Sequence, residues 1–207
     1  MVSQRFRISI FLICATPLFS VNPSRVPAPP TTYEIGDYAQ GGVVFWLTPD
    51  QQHGLAAAIV DQDGGSGIAW APAGFTSTQV GSYMNGIIFG ENYTTTSGSL
   101  NSARIISVIG TGTYAASVCS SYSVTVNGVT YDDWYLPAIM ELGLMYIRGS
   151  VINATALANG GTSFASATYW SSTEATSSSA SDQSFSSGFQ LTNTKTTLVR
   201  VRAIRAF

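Results

Sequence analysis

The sequence predicts a mixed α+β domain with strands near both ends of the chain and helices between them. Three observations carry this. Residues 41–60 and 199–207 hold short runs of β-branched, aromatic and small apolar residues bounded by turn formers. Apolar residues recur at helical spacing through 97–109 and again from 139 to 146. Charged residues make up only 10% of the chain against 45% hydrophobic, with Gly, Ser and Thr abundant, so the chain can build a core yet is too poor in charge for a disordered tail. Its 207 residues suffice for one domain with a sizeable core.

The amino terminus is set apart. Arg5 and Arg7 precede an apolar run over residues 8–19, broken by Thr16 and Pro17. A basic start followed by about a dozen apolar residues is the shape of a secretion signal and too short to span a bilayer, so residues 1–20 are expected to be removed near Ser20. Cys14 offers a site for lipid anchoring, although Ile13 is bulky where a small residue is wanted. No later stretch is long and apolar enough to be a membrane helix. Without residues 1–20 the chain holds 7 basic and 11 acidic residues, a net charge of −4, and a single cysteine, Cys119. An intrachain disulfide is then excluded. A net negative chain also argues against nucleic acid as partner. Residues 21–32 contain four prolines and no apolar periodicity, as an extended spacer would. The domain proper is expected at 33–207.

Within it, Gly41-Gly42-Val43-Val44-Phe45-Trp46-Leu47 predicts a strand, residues 48–54 a turn, and residues 55–60 the returning strand. Residues 61–90 alternate turn formers with short apolar pieces and are expected to be ordered loop. Leu100, Ala103, Ile105, Ile106 and Ile109 mark a helix that Gly110 can stop. A second short helix is expected over 114–122. Asn127-Gly128 between β-branched runs predicts a tight hairpin. That hairpin leads into Tyr131-Asp132-Asp133-Trp134-Tyr135-Leu136-Pro137, an extended segment ended by a proline suited to a helix's first turn. Ile139, Leu142, Met145 and Tyr146 give the following helix its apolar face, running to about Arg148. From 162 to 197, 19 of 36 residues are Ser or Thr. Tyr169, Trp170, Phe185, Phe189 and Leu191 are spaced through this tract, so it reads as an ordered, loop-rich surface rather than a linker.

The catalytic inventory is thin. His53 lies in the predicted turn and Cys119 in a probable helix, and nothing in the spacing brings an activating partner to either. Asp132, Asp133, Glu141 and Glu174 could offer oxygens to calcium, but Asp133 and Glu174 are equally suited to accept loop N–H groups or pair with Arg200, Arg202 and Arg205. Arg200 and Arg202 should share one face of a closing strand, with Val199, Val201 and Ala203 on the other. The arginines could also hold a sulfated sugar or phosphate. Asn92 and Asn153 head glycosylation-type tripeptides.

The blocks Gly41-Gly42-Val43-Val44-Phe45-Trp46, Tyr131 to Pro137, Tyr169-Trp170-Ser171-Ser172-Thr173-Glu174 and the closing 199–207 resemble the bacterial and phage domain family that ends the Legionella collagen-like adhesin. The resemblance covers roughly 33–207. It implies a C-type-lectin-like fold whose first and last strands pair in one sheet, with two or three helices between. Relatives carry a polar cap after the proline, where Ala138 stands here. The Glu-Pro-Asn or Gln-Pro-Asp tripeptides of calcium-dependent lectins are absent, as are the paired cysteines of formylglycine-generating enzymes. The resemblance therefore implies a non-catalytic adhesin or receptor-recognition module without cofactor or metal. It would be secreted or held at the bacterial surface, and its ligand would be a protein or glycan on another cell or host. An oligomer, a filament subunit or a phage-tail subunit is compatible with it.

In relatives this tract is often rewritten by diversity-generating retroelements, which mutate template adenines and turn Asn codons into many residues but never Lys, Glu, Gln, Met or Trp. Thr176, Ser177, Ser178, Ser179, Ser181, Asp182, Ser184, Ser186, Ser187, Phe189, Leu191, Thr192, Asn193, Thr194, Thr196 and Thr197 all lie in the reachable set and are the candidate ligand-binding residues. Glu174, Gln183, Gln190 and Lys195 lie outside it, where relatives keep fixed scaffold. Trp134, Trp170, Asp133, Glu174, Arg200 and Arg202 are assigned to structure.

Overall fold

The computed structural model describes residues 31–82 and 97–207. The expected secretion signal, the proline-rich stretch as far as residue 30, part of the 61–90 loop and the Asn92 tripeptide lie outside the described residues. Strands β1 (Tyr38–Ala39), β2 (Gly42–Leu47) and β3 (Gly54–Ala57) form antiparallel hairpins where the turn signals place them. The closing strand, β9 (Ile204–Ala206), pairs antiparallel with β3, Leu55 opposite Ala206 and Ala57 opposite Ile204. The first and last strands therefore share one sheet, ordered β1-β2-β3-β9.

The described residues hold four helices rather than two or three, and three separate antiparallel sheets. Helix α1 (Ser97–Ile109) and helix α2 (Ala115–Ser120) fall where expected. The buried face of α1 differs from the apolar one that the spacing marks: Ala103 is exposed, and Ser97, Gly98, Asn101, Ser102 and Ile105 are buried. The reason is what this helix packs against. A Cβ on Gly98 would lie 2.8 Å from the backbone nitrogen of Ala138 and as close to the Tyr135 ring, so only glycine lets α1 approach. Ser102 then accepts a hydrogen bond from the Leu136 N–H at 3.1 Å and donates to the Leu136 carbonyl at 3.2 Å. A leucine there would leave both backbone groups unpaired in the core.

Strands β4 (Val124–Val126) and β5 (Val129–Tyr131) flank Asn127 and Gly128, whose φ of 51° and 80° are those of a type I′ turn matching the twist of its strands. The extended residues after β5 pair with β9: the N–H groups of Tyr135 and Ile204 each donate to the other's carbonyl, at 2.8 and 3.0 Å. Helix α3 (Ile139–Ile147) starts one residue beyond the position that Pro137 marks, with Ala138 at the cap. The missing cap oxygen is replaced twice. Glu141 accepts from the Ala138 N–H at 2.7 Å, and Thr173 reaches across from another element to accept from the Ile139 N–H at 3.1 Å. A further helix, α4 (Gly149–Ala158), follows where the sequence expectation stops at Arg148. Its buried face consists of Ile152 and Ala156 alone, too narrow a stripe to stand out.

The Ser/Thr-rich tract is the largest departure. It is a three-stranded antiparallel sheet, not a loop surface: β6 (Thr168–Thr176), β7 (Ser179–Ser184) and β8 (Gln190–Thr194). Residues 199–203 form no regular strand; Val199, Val201 and Ala203 are buried as expected, but Arg202 is fully buried with them. The core has two main parts. One gathers Trp70, Trp134 and Trp170 with Tyr114 and Cys119; the other gathers Phe45, Leu55, Leu142, Met145 and Tyr169. Each tryptophan of the first also satisfies its indole N–H: Trp70 donates to Ser171, Trp170 to Ile68 and Trp134 to Tyr131, at 2.8–3.0 Å. Trp170→Ala should therefore lower stability by about 3–5 kcal/mol, the range for truncating a buried aromatic. Denaturant unfolding of the two proteins measures it, and a loss below about 1 kcal/mol would contradict this account of the core.

Candidate recognition face

The anchor of the β6–β8 sheet is a buried ion pair. Lys195, fully buried, lies 2.5 Å from Glu174 at the end of β6. Its other two protons go to the carbonyls of Thr78 and Ser177, at 2.8 and 2.7 Å, and its ammonium sits 4.6 Å from the Trp70 ring centre. Glu174 in turn accepts from the N–H groups of Val80 and Gly81 and from the Gln79 amide. Burial by itself would raise the Glu174 pKa, but the Lys195 hydrogen bond and the two backbone donors outweigh it and hold the carboxyl below its ordinary 4.5. The expected pairing of Glu174 with loop backbone is thus present, and its cation is Lys195 rather than a C-terminal arginine.

The arginines are held in the same way. Arg205 meets Asp133 through two contacts, at 2.6 and 3.0 Å, as expected. Arg202 donates to Asp61 at 2.6 Å and to Thr162, and stacks 4.4 Å from the Phe164 ring. Arg200 lies 3.3 Å from the other oxygen of Asp61, which also accepts from the Tyr169 hydroxyl at 2.9 Å. Burial, together with that carboxylate, pushes the Tyr169 pKa up. Asp61 is the residue that sequence reasoning missed. A carboxylate directly after the predicted strand at 55–60 reads as turn chemistry, and nothing local points to partners some 140 positions on. Of the three arginines only Arg200 keeps an appreciably open side chain, 28%, against 0% for Arg202 and 11% for Arg205. A sulfated ligand gripped by all three therefore does not fit this arrangement. Cys119 is buried and its pKa is raised by desolvation and then by Asp63 and Asp61, which keeps the thiol neutral rather than nucleophilic.

The sixteen candidate residues sort into three places. Thr176, Ser177, Ser178 and Ser179 form the β6–β7 turn, and Thr194, Thr196 and Thr197 the turn after β8; Ser179 pairs with Thr194, so the two turns lie side by side. Ser184, Ser186, Ser187 and Phe189 form the turn at the other end. Ser181, Asp182, Leu191, Thr192 and Asn193 lie on β7 and β8 between them. Many hydroxyls are engaged locally: Thr176 with Ser179 at 2.7 Å, Thr194 with Thr197 at 2.9 Å, and Ser184 with both Ser186 and Ser187 at 2.9 Å. Such contacts stiffen the turns. Phe189 and Leu191, two residues apart and hence on one side of the edge strand, are 69% and 53% exposed. Asn193, Thr197 and Arg200 line a depression of about 320 Å³ together with Leu198 and the loop at residues 65–67.

Two candidates are corrected. Asp182 is fully buried and Ser184 is 6% exposed, so neither lies on the outer surface. Gln183 between them is 1% exposed as well, so both faces of β7 are covered at this end. Asp182 accepts from the Asn193 amide at 2.5 Å, and desolvation raises its pKa. The four residues outside the reachable set all bond inward or across the sheet: Glu174 and Lys195 to each other, Gln183 to the Gly188 carbonyl at 2.7 Å and Gln190 to the Ile139 carbonyl at 3.3 Å.

No protein-family model matches this chain, and no curated protein matches it in sequence. Among the described residues no helix is long and apolar enough to cross a membrane, and no three His, Cys, Asp or Glu side chains gather where they could hold one metal ion.

Two expected outcomes follow from these charges. Lys195→Met should cost about 3–5 kcal/mol, because it strands Glu174 in the core, and adding Glu174→Gln should recover part of the loss. If the single variant melts like the parent, the pair is not the anchor. Asp182→Asn should act the other way. A carboxyl whose folded pKa is raised costs stability above that pKa, so the variant should melt higher at neutral pH. The gain should shrink as pH falls through the raised folded pKa and be gone once pH is below the ordinary carboxylate value of 3.8. Melting curves from pH 7 to pH 3 check both the sign and the trend.

Proposed function

We propose that this chain is a secreted or surface-attached, C-type-lectin-like module that recognises another molecule without chemistry. Its recognition face is the outer side of β8 with the two turn clusters, and that face is diversified. The fold assignment is supported by the shared sheet of the first and last strands, by the helices placed between them and by the resemblance of the four sequence blocks. The observation that carries the functional reading is the division of labour inside one tract. Residues that adenine mutagenesis of Asn codons cannot produce hold the sheet together. Fourteen of the sixteen candidate residues, all of which it can produce, are at least partly exposed, while Asp182, Ser184 and the equally reachable Ala180 and Phe185 pack inward.

Such a division lets the exposed side chains change while packing is untouched. Phe189 and Leu191 are the natural hot spots, since they supply apolar area among small hydroxyls whose hydrogen bonds are partly spent within the turns. The ligand is a protein or glycan presented by another cell. Sequencing this locus from several isolates tests the reading. Substitutions should concentrate at the exposed reachable positions and spare Glu174, Gln183, Gln190 and Lys195. A near-copy of codons 170–207 with adenines at the varied codons should lie beside a reverse transcriptase. Changes spread evenly over the exposed surface, with no template nearby, would overturn it.

A further inference from the structure

A separate cavity of about 550 Å³ opens where α3, α4 and the residues flanking the last sheet meet, within the size range of small-molecule sites. It shares no lining residue with the recognition face. We infer that it is a subsite for one or two units of an uncharged sugar, bound between the aromatic side chains Tyr146, Phe164 and Phe185 and the neutral polar groups of Ser150, Asn153 and Ser166.

The walls carry the argument first. Phe185 sits 4.3 Å from Phe164 and 4.7 Å from Tyr169, with the edge of Tyr146 at 5.6 Å, so the rings brace one another before any ligand arrives. Arg202 fixes Phe164 from a second direction, 4.4 Å from its ring centre. With Phe185 on one side of Phe164 and Arg202 on the other, these two rings form the braced back wall, and the Tyr146 ring, 37% exposed, is the one left to meet the polarised C–H groups of a pyranose with little ordering cost.

The polar groups narrow the ligand. Asn153 accepts from the Phe164 N–H at 2.8 Å through its side-chain oxygen, which determines which end of the amide is tied down. Its NH2 donors, and the hydroxyls of Ser150 and Ser166, engage no partner among the described residues and are available to sugar hydroxyls. None of the described side chains lining the cavity is charged. A sulfate, phosphate or carboxylate placed there would lose water without gaining a counter-charge. A purely apolar group would cover the amide and hydroxyls without bonding them, at the cost of unpaired polar atoms. A neutral, polyhydroxylated ring with apolar faces answers both conditions.

The test is affinity electrophoresis of the native chain through gels carrying dextran, galactomannan or arabinoxylan, with dextran sulfate in a parallel gel. Saturation-transfer NMR with the methyl glycoside of the retarding polymer's sugar follows. At least one neutral polymer should retard the chain, and the methyl glycoside should receive saturation. Asn153→Asp keeps the acceptor for the Phe164 N–H and removes the amide donors; it should weaken retardation at least tenfold. Ser150→Trp, at an exposed helix position, fills the cavity and should do the same, which keeps the test open if the first variant fails to fold. Retardation by dextran sulfate alone, no retardation by any neutral polymer, or retardation unchanged in well-folded variants would each overturn the assignment. These outcomes leave the β8 face untouched, because no substitution falls in it.

Discussion

The fold depends on one short extended segment, residues 135–139, whose backbone groups are satisfied by four different elements. Tyr135 exchanges two hydrogen bonds with Ile204 of β9. Leu136 gives both of its groups to Ser102 of α1. The Pro137 carbonyl accepts from Ser172 of β6 at 2.8 Å, and Pro137 has no N–H to satisfy. Ala138 and Ile139 donate to Glu141 and Thr173. A buried strand-like segment normally needs a neighbouring strand on each side. Here a serine, a threonine and a glutamate take the place of the second neighbour, and each ties a different element to the same five residues.

The second organising feature is how few charges there are and where they go. In a chain with 10% charged residues, two of the four described ion pairs, Glu174–Lys195 and Asp61–Arg202, lie inside. Asp61 joins Arg200 and Arg202, which close the chain, to the loop after β3 and to Tyr169 of β6. Glu174 and Lys195 join the two outer strands of the last sheet, at one end, to the loop at residues 78–81. Buried pairs of this kind contribute little net stability against an apolar alternative, but each is costly to break by halves, so they hold loops in one arrangement. The outer side of β8 is supported from beneath by these buried residues, while neutral hydroxyls and two apolar side chains meet the solvent, a separation that suits the proposed function.

What the sequence determined by itself is everything that depends on neighbours a few positions away. The Asn127-Gly128 turn, the helical spacing of α1 and α3, the hairpin around residues 48–54 and the burial of Trp134 and Trp170 all follow from short-range geometry or from the chemistry of one side chain. What only the tertiary structure decided is which groups meet across the chain. Asp61 and Arg202 are 141 positions apart, and neither shows in its own surroundings that the other is there. The inward face of α1 is polar because Leu136 needs partners, a demand invisible from α1 alone. The tract at 162–197 reads as loop because Ser and Thr are small, neutral and common in turns. It is a sheet because Tyr169, Trp170 and Ala180 anchor it to the two core clusters and Lys195 locks its end. Alternation along β7 would have left one of its faces in solvent, yet Asp182, Gln183 and Ser184 are buried in succession. Packing covers both faces of the strand there, and that coverage is a property no local pattern encodes.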